Sequence, residues 1–183
     1  MMAPVNILSD DRIRLRAVEP TDVDLIMSWE NDETLWTEGN TVAPFSRKAI
    51  WDYVENYNPD IYTEKQLRLM VVDRQSEQAV GMIDLFEFDA HNRRCGIGLM
   101  IGGEYRGLGY GKATLELMKK YVRHFLGLHQ LWAYISVDNI NSIELFKECG
   151  FKICGRLRSW LRRNNRYTDV FIVQSLSELQ LKF

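Results

Sequence analysis

The segment Glu104–Lys112, with the sequence EYRGLGYGK, decides the fold of this chain. The apolar run Cys95–Ile101 before it predicts a strand, and the amphipathic pattern from Lys112 to Phe125 after it predicts a helix. Such a glycine-rich turn suits a phosphate group, because its main-chain N–H groups are free, glycine allows close approach and the helix dipole favours an anion. The segment therefore predicts a phosphate-binding turn, with Arg106 as an added charged donor.

The spacing of this turn excludes two common nucleotide-binding motifs. A Walker A motif ends in Gly-Lys-Ser/Thr, whereas Lys112 is followed by Ala113. The dinucleotide motif has a longer gap before its last glycine than the single residue that separates Gly109 from Gly111. On these residues alone, a tight turn without a ligand stays open as the alternative.

A second motif, NINSIELFKECGF at Asn139–Phe151, follows the predicted strand Gln130–Val137. Its pattern predicts a short helix with Ser142 as the cap and one apolar face. Gly150 suits the left-handed position that ends such a helix, and a further strand is predicted from Phe151. The apolar face comprises Ile143, Phe146 and Cys149.

A third motif, Arg166-Tyr167-x-Asp169, precedes the apolar run 170–173. Together with Arg106-x-x-Gly109-x-Gly111 and the Asn139 segment, it resembles the GNAT N-acetyltransferase superfamily in both motif and order. The resemblance covers nearly the whole chain. It is nearest to the branch that contains spermidine/spermine acetyltransferases and ribosomal-protein N-terminal acetyltransferases.

The resemblance implies acetyl-CoA as co-substrate, no metal, and direct transfer of acetyl to an amine. In the family, the glycine turn binds the pyrophosphate of acetyl-CoA, and main-chain N–H groups of the preceding strand bind pantetheine and the acetyl oxygen. The family's general acid is a tyrosine, and the matching position here is Phe146, which cannot donate a proton. The implied CoA-binding set is Leu99, Met100, Ile101, Arg106, Gly107, Leu108, Gly109, Tyr110, Gly111, Lys112, Asn139 and Phe146.

Departure of the thiolate makes a small demand on catalysis. A thiol pKa of ~8.5 is about one unit above neutral pH, so departure of the sulfur as an unprotonated thiolate costs on the order of 1.4 kcal/mol. Water or the protonated amine can supply this proton. Tyr134, Tyr110 and Tyr167 are the candidate replacements for the missing tyrosine, and packed aromatic residues are the alternative interpretation.

Deprotonation of the amine is the larger demand. An alkylamine with a pKa of ~10.4 needs about 4 kcal/mol at a pH of about 7.5, whereas a peptide α-amine with a pKa of ~7.7–8.0 needs well under about 1 kcal/mol. Asp84 and Glu87, on the predicted strand Val80–Asp89, are the candidate bases, and polyamine acetyltransferases of the family carry acids at similar positions. Their spacing puts them on opposite faces of a strand unless a bulge intervenes. Another acid common in the family falls near Gly96, which cannot contribute.

Composition indicates an ordinary globular protein. The chain has 183 residues, 46% of them hydrophobic, with a formal net charge of −2, so we expect one acetyltransferase domain over residues 1–183. No apolar run reaches the ~18–20 residues of a membrane span, and the N-terminus lacks the pattern of a secretory signal. Three cysteines without metal-like spacing favour reduced thiols and a cytoplasmic location.

The remaining pattern predicts a mixed α/β fold. Strands are predicted at 13–17 and 67–73, and helices begin at Thr21, in a capping box with Asp24, and at Ser46. Asn164-Asn165 suits a hairpin turn. We expect one mixed sheet of about seven strands flanked by about four helices, and the resemblance implies central strands that splay apart to admit pantetheine.

Charge is unevenly distributed along the chain. Residues 17–46 contain seven acids and no Lys or Arg, and residues 156–166 contain five arginines and no acid. Each patch is expected to be a solvated surface, or the two face each other within or between protomers. The acids also suit a cationic amine, and the arginines suit CoA phosphates, an acidic acceptor or RNA. Because the whole chain is slightly acidic, we do not expect nucleic acid as a partner.

The sequence thus predicts an acetyl-CoA-dependent N-acetyltransferase that favours a polyamine. A protein α-amine acceptor is the first alternative. A CoA-binding protein without catalysis, marked by Phe146, and an RNA-binding module are the others. We expect no membrane partner, and the formation of homo-oligomers is left open.

Overall fold

The computed structural model describes residues 6–36, 41–163 and 165–177. Within these ranges the chain forms one sheet with the strand order β1-β2-β3-β4-β5-β7-β6. The strands are β1 (Ile13–Arg16), β2 (Leu67–Asp73), β3 (Ala79–Asp89), β4 (Arg94–Ile101), β5 (Gln130–Ser136), β6 (Lys152–Arg163) and β7 (Arg166–Leu176). The predicted seven-stranded mixed sheet is confirmed.

Four longer helices flank this sheet, as predicted, and two one-turn helices are additional. The longer ones are α1 (Val23–Glu30), α3 (Arg47–Glu55), α5 (Tyr110–His124) and α6 (Ile140–Glu148). The short ones are α2 (Glu33–Trp36) and α4 (Ile61–Glu64). Short 3-10 turns lie at Pro20–Asp22 and Gly103–Tyr105.

The central strands separate at a fork. Strands β4 and β5 are the parallel neighbours, and their ladder joins Arg94–Gly96 to Gln130–Trp132. Beyond the pair Gly96 and Trp132 the two strands have no ladder with each other, although β3 still pairs with β4 as far as Ile101. The splayed strands implied by the family resemblance are confirmed, and the glycine turn follows the free end of β4.

Two apolar clusters cover the two faces of the sheet. Helices α5 and α6 pack on one face through residues such as Leu115 and Ile143. Helices α1 and α3 pack on the other face, where Ile26 of α1 and Ile50 of α3 form a cluster with Met82 of β3. Because side chains alternate along a strand, the residues of β3 that share the face of Met82 also look toward α1 and α3.

Two predicted helix starts were wrong. Thr21 does not cap the first helix. A 3-10 turn at Pro20–Asp22 precedes α1, and Glu19 caps this turn in a capping box with Asp22, which also pairs with Arg16. Ser142 does not cap α6: the cap is Asn139, whose side-chain oxygen accepts the N–H of Ser142 at 3.0 Å.

Other local predictions agree with the structure where it describes them. Ser46 caps α3, and Gly150 is left-handed at the end of α6. The predicted turn at Asn164-Asn165 falls partly outside the described residues. Over the described ranges, no helix is both long and apolar enough to cross a membrane.

Candidate active site

The glycine turn has the backbone geometry that the sequence predicts. Gly107 and Gly109 have φ of 73° and 84°, a left-handed conformation that is costly for other residues. Helix α5 begins at Tyr110, directly after the turn, so its free N–H groups and its positive dipole end face the turn. Arg106 is exposed and its Nε donates to the carbonyl of Ile101 at 3.1 Å, which holds the side chain against the end of β4.

A second arginine supports the turn from outside the glycine motif. Arg12 donates to the carbonyl of Leu108, and its guanidinium lies 4.5 Å from the ring centre of Tyr110. The hydroxyl of Tyr110 in turn donates to Asp73 at 3.1 Å. These contacts join the turn to strand β2 and to the residue just before β1, so the sheet fixes its position.

Leu99, Met100 and Ile101 lie at the free end of β4, and three further CoA candidates lie on α5 and α6. Lys112 is exposed and lies 3.4 Å from Glu148 of α6. Asn139 caps α6 at the end of the loop that follows β5. Phe146 is buried, and its ring packs edge-to-face on Phe151 with 4.9 Å between ring centres. Phe146 therefore has a clear packing role, whatever it contributes to CoA binding.

The candidate base Asp84 lies on the face of the sheet that carries α1 and α3. Asp84 lies on β3, and its ladder partner on β4 is Gly98, two residues before Met100. Both of its oxygens accept from Arg68, at 2.7 and 2.9 Å, and Arg68 also donates to Glu30 of α1 at 2.8 Å. Two carboxylates therefore share one guanidinium, and the cluster Glu30–Arg68–Asp84 carries one net negative charge.

The environment of Arg68 keeps its guanidinium charged. Burial lowers the pKa of Arg68, but the hydrogen bonds and charge of Asp84 raise it by more, so its pKa stands above the ordinary value. Tyr57 fixes the same residue, because its hydroxyl donates to the carbonyl of Arg68 and accepts its N–H, both at 2.7 Å. Asp84 is thus a rigidly held carboxylate.

The other two catalytic candidates lie apart from this cluster. Glu87 is exposed and has a φ of 48°, at a register shift between β3 and β4. The β-bulge that would be needed to change the direction of the Glu87 side chain is therefore present. Glu87 takes no part in the ion pairs of Arg68. Tyr134 lies on β5 just past the fork, 48% exposed, with its ring centre 4.9 Å from that of Trp132.

Comparison with known proteins decides the family. Residues 12–152 match the model of the acetyltransferase (GNAT) domain, which is more than half of the chain. The chain belongs to the GNAT acetyltransferase family. It is therefore an acetyl-CoA-dependent N-acetyltransferase, as the motifs predicted.

Two curated relatives are spermidine N(1)-acetyltransferases. The one from Vibrio cholerae is 27% identical over 172 residues, which cover 91% of this chain and 95% of that protein. The one from Escherichia coli strain K12 is 25% identical over 160 residues, covering 86% of this chain and 82% of that protein.

Solved structures show the same fold. The crystal structure of the Vibrio cholerae spermidine N-acetyltransferase in complex with CoA and spermine has a TM-score of 0.82 and 26% identity. It covers 91% of this chain and 96% of that one. A dodecameric structure of the same enzyme in an intermediate state has a TM-score of 0.75 at 25% identity, and covers 91% and 95% of the two chains.

No sequence motif identifies several of the residues that support the glycine turn and the candidate base. Arg12, Glu30 and Arg68 come from elements far apart in the chain and belong to no motif. Only the excess of acids over residues 17–46 pointed to the region of Glu30. Within the described residues, three of those acids pair with arginines: Asp22, Asp24 and Glu30.

Phe86 was also missed, and it explains Gly96. A Cβ placed on Gly96 would lie 2.6 and 2.7 Å from the Cζ and Cδ2 atoms of Phe86, so the ring occupies the space of a side chain at this position. The family acid expected near Gly96 is thus replaced by an aromatic ring from the neighbouring strand.

Proposed function

We propose that this acetyltransferase acts on a primary amine of a polyamine of the spermidine class. The observation that carries the proposal is the Glu30–Arg68–Asp84 cluster, which places a net negative charge beside the β4 stretch where the acetyl group is expected. A cationic amine is attracted to such a charge. The relatives that act on spermidine support the same acceptor.

The main chain would perform most of the acetyl chemistry. The glycine turn and the start of α5 would bind the pyrophosphate, and Asn139 and Lys112 would contact CoA from the α6 side of the cleft. N–H groups of Leu99–Ile101, on the stretch of β4 that leaves β5, would stabilise the oxyanion of the tetrahedral intermediate. No covalent enzyme intermediate is needed, since the amine attacks the thioester directly.

Asp84 would orient the amine instead of removing its proton. Both of its oxygens already accept hydrogen bonds from Arg68, which leaves its charge shared and its position fixed. Water would carry the proton away, so the rate should depend on the fraction of neutral amine. For an alkylamine with a pKa of ~10.4, that fraction rises about tenfold per pH unit through neutral pH.

Tyr134 is the proposed source of a proton for the departing thiolate. It follows the fork on β5, and its side chain is half exposed. The demand is small, on the order of 1.4 kcal/mol, so water can replace it at low cost.

The test is release of thiol from acetyl-CoA against a panel of amines: spermidine, spermine, a peptide with a free N-terminus, an aminoglycoside and a buffer blank. We expect turnover with spermidine that rises steeply from about pH 6.5 to about pH 9.5, because the amine must be neutral. Turnover with the peptide alone would replace the polyamine by an α-amine acceptor. Binding of acetyl-CoA without turnover on any amine would favour a catalytically silent protein, and absence of binding would contradict the function itself.

We further propose a cytoplasmic location and a homo-oligomeric state. The three thiols are unpaired, with Cys95 and Cys149 buried, which suits a reducing compartment. The dodecameric relative supports assembly. Fractionation of cells with an antibody, and light scattering after size-exclusion chromatography, test the two statements.

Full activity after dialysis against a chelator would support the absence of a metal requirement.

A further inference from the structure

Four aromatic side chains form a line across the sheet beside the fork. The ring centres lie 5.2 Å apart between Phe86 and Trp132, 4.9 Å between Trp132 and Tyr134, and 6.5 Å between Tyr134 and Trp160. We call these four residues the aromatic row. Phe86 is partly buried, and from Trp132 outward exposure increases, from 9% at Trp132 to 48% at Tyr134 and 56% at Trp160. The row therefore has an open outer end at Trp160.

The inner end of the row touches the strand of the acetyl site. A ring carbon of Phe86 lies 3.7 Å from the position of a Cβ on Gly98, which pairs with Asp84. Phe86 and Asp84 are two residues apart in β3 and share one face of the sheet. The row thus begins where the amine must meet the thioester and continues away from it over β5 to β6.

Two β-bulges flank the ends of the row. Glu87 and Ser159, each next to a row residue, have φ of 48° and 50° at register shifts in β3 and β6. The bulge in β6 is held by Asp169, which accepts the N–H of Ser159 at 2.7 Å and the Nε of Arg156 at 2.6 Å. Left-handed backbone at ordinary residues is costly and concentrates at functional sites, where bulges re-aim side chains. The β6 bulge brings Trp160 toward Tyr134.

Charge along the row suits a chain that carries several positive charges. Its inner end lies beside the net negative cluster of Arg68 with its two carboxylates. Arg156 and Arg162 of β6 pair with Phe171 and Tyr167 of β7, on the opposite face from Tyr134 and its neighbour Ile172. Arg156 also lies 5.9 Å from the ring centre of Phe171 on that opposite face. These two arginines therefore do not compete with an ammonium group for the row.

We propose that the aromatic row binds the alkyl chain and the distal ammonium groups of the acceptor polyamine. The inference rests on the proposed function and gives its acceptor a defined path from β4 to Trp160. Methylene groups pack on the ring faces, and ammonium groups are held by cation–π attraction, which is strongest for tryptophan. The row then determines which amines bind well, while the chemistry stays at the fork.

The test compares Trp160→Leu with a matched control, Tyr167→Leu. Tyr167 lies in the same hairpin and is 67% exposed, but on the opposite face from Tyr134, to which the proposed function assigns the role of acid in its place. We expect Trp160→Leu to raise the KM for spermidine about threefold to tenfold, with kcat and the KM for acetyl-CoA unchanged. Trp160→Phe should give an intermediate KM, and Tyr167→Leu the wild-type value. Because both leucine variants replace exposed side chains, we expect both to fold, and circular dichroism checks this.

Butylamine separates the row from a general disturbance of the site. It carries the reacting amine but no distal ammonium group, so its KM should be the same in wild type and in Trp160→Leu. An equal rise for butylamine and spermidine, or an equal rise in Tyr167→Leu, would overturn the row as a subsite. Wild-type turnover of spermidine with an unchanged KM in Trp160→Leu would overturn the row and leave the proposed function intact. Absence of polyamine turnover in the wild type would overturn the proposed function and the row with it.

Discussion

The two sides of the fork are built in different ways. The proposed CoA side consists of a turn, one helix start and the free edge of β4, and its contacts would come from main-chain groups near one another in sequence. The proposed acceptor side consists of side chains from α1, β2, β3, β5 and β6. Main-chain sites impose strict demands on backbone conformation, whereas side-chain clusters impose demands on packing. A main-chain site is therefore visible as a sequence motif, and a side-chain cluster is not.

Substitutions can separate these two kinds of construction. On the CoA side, the effects should follow backbone geometry and appear in the binding of acetyl-CoA. On the acceptor side, they should follow contacts between distant strands and appear in stability or in the use of the amine.

The largest effect is expected for Gly109→Val. A branched side chain at a φ of 84° is strained, and its Cβ would lie 3.0 Å from Arg12, so the turn must change shape and lose donors to the phosphates. We expect the Kd for acetyl-CoA, measured by calorimetry, to rise at least about thirtyfold, or about 2 kcal/mol. Gly103→Ala is the control, because a Cβ there meets nothing within 4 Å. A wild-type Kd in Gly109→Val would show that the turn does not bind the pyrophosphate.

The next effect is on stability and concerns the acceptor side. Gly96→Ala forces a Cβ into the ring of Phe86, so we expect urea unfolding to show a loss of roughly 1–3 kcal/mol. Adding Phe86→Leu should recover part of this loss, because the smaller side chain frees the space. Gly98→Ala serves as the control, since its nearest contact would be an ordinary 3.7 Å. Additive losses in the double variant would contradict the contact.

Asp84→Asn tests whether the carboxylate orients the amine or removes its proton. We expect kcat/KM for spermidine to fall about tenfold, because one net charge near the amine is lost, with the steep rise of rate toward high pH retained. Glu87→Gln, outside the Arg68 ion pairs, should change kcat/KM less than about twofold. If the pH dependence instead disappears in Asp84→Asn, the residue is a general base after all.

The smallest effect is expected for Arg12→Lys. Lysine keeps the charge but loses the planar contact with Tyr110 and the fixed bond to Leu108, so the KM for acetyl-CoA should rise about threefold. Arg14→Lys, two residues along β1 and paired with Glu77 away from the turn, is the control. Equal KM values in all three proteins would show that the turn holds its shape without Arg12.

Local patterns predicted most of the fold correctly. The alternation of apolar and charged residues in β1 and the apolar face of α6 depend on near neighbours, so their residues identify them. The errors at Thr21 and Ser142 came from choosing between two adequate caps a few residues apart. Asp22 is drawn back by Arg16, and Asn139 already occupies the cap of α6. Such choices depend on contacts that a linear pattern does not contain.

The sequence by itself determined the family, the co-substrate and the conformation of the glycine turn, because left-handed glycines and a following helix are local requirements. The sequence also showed that Phe146 stands where the family has its tyrosine acid. It could not show that the ring of Phe146 is packed in the core. Only the tertiary structure decided that Asp84 is bound to Arg68 and that Phe86 fills the space over Gly96. The register of seven strands creates those contacts between residues far apart in the chain, and the same register aligns four aromatic rings into one path.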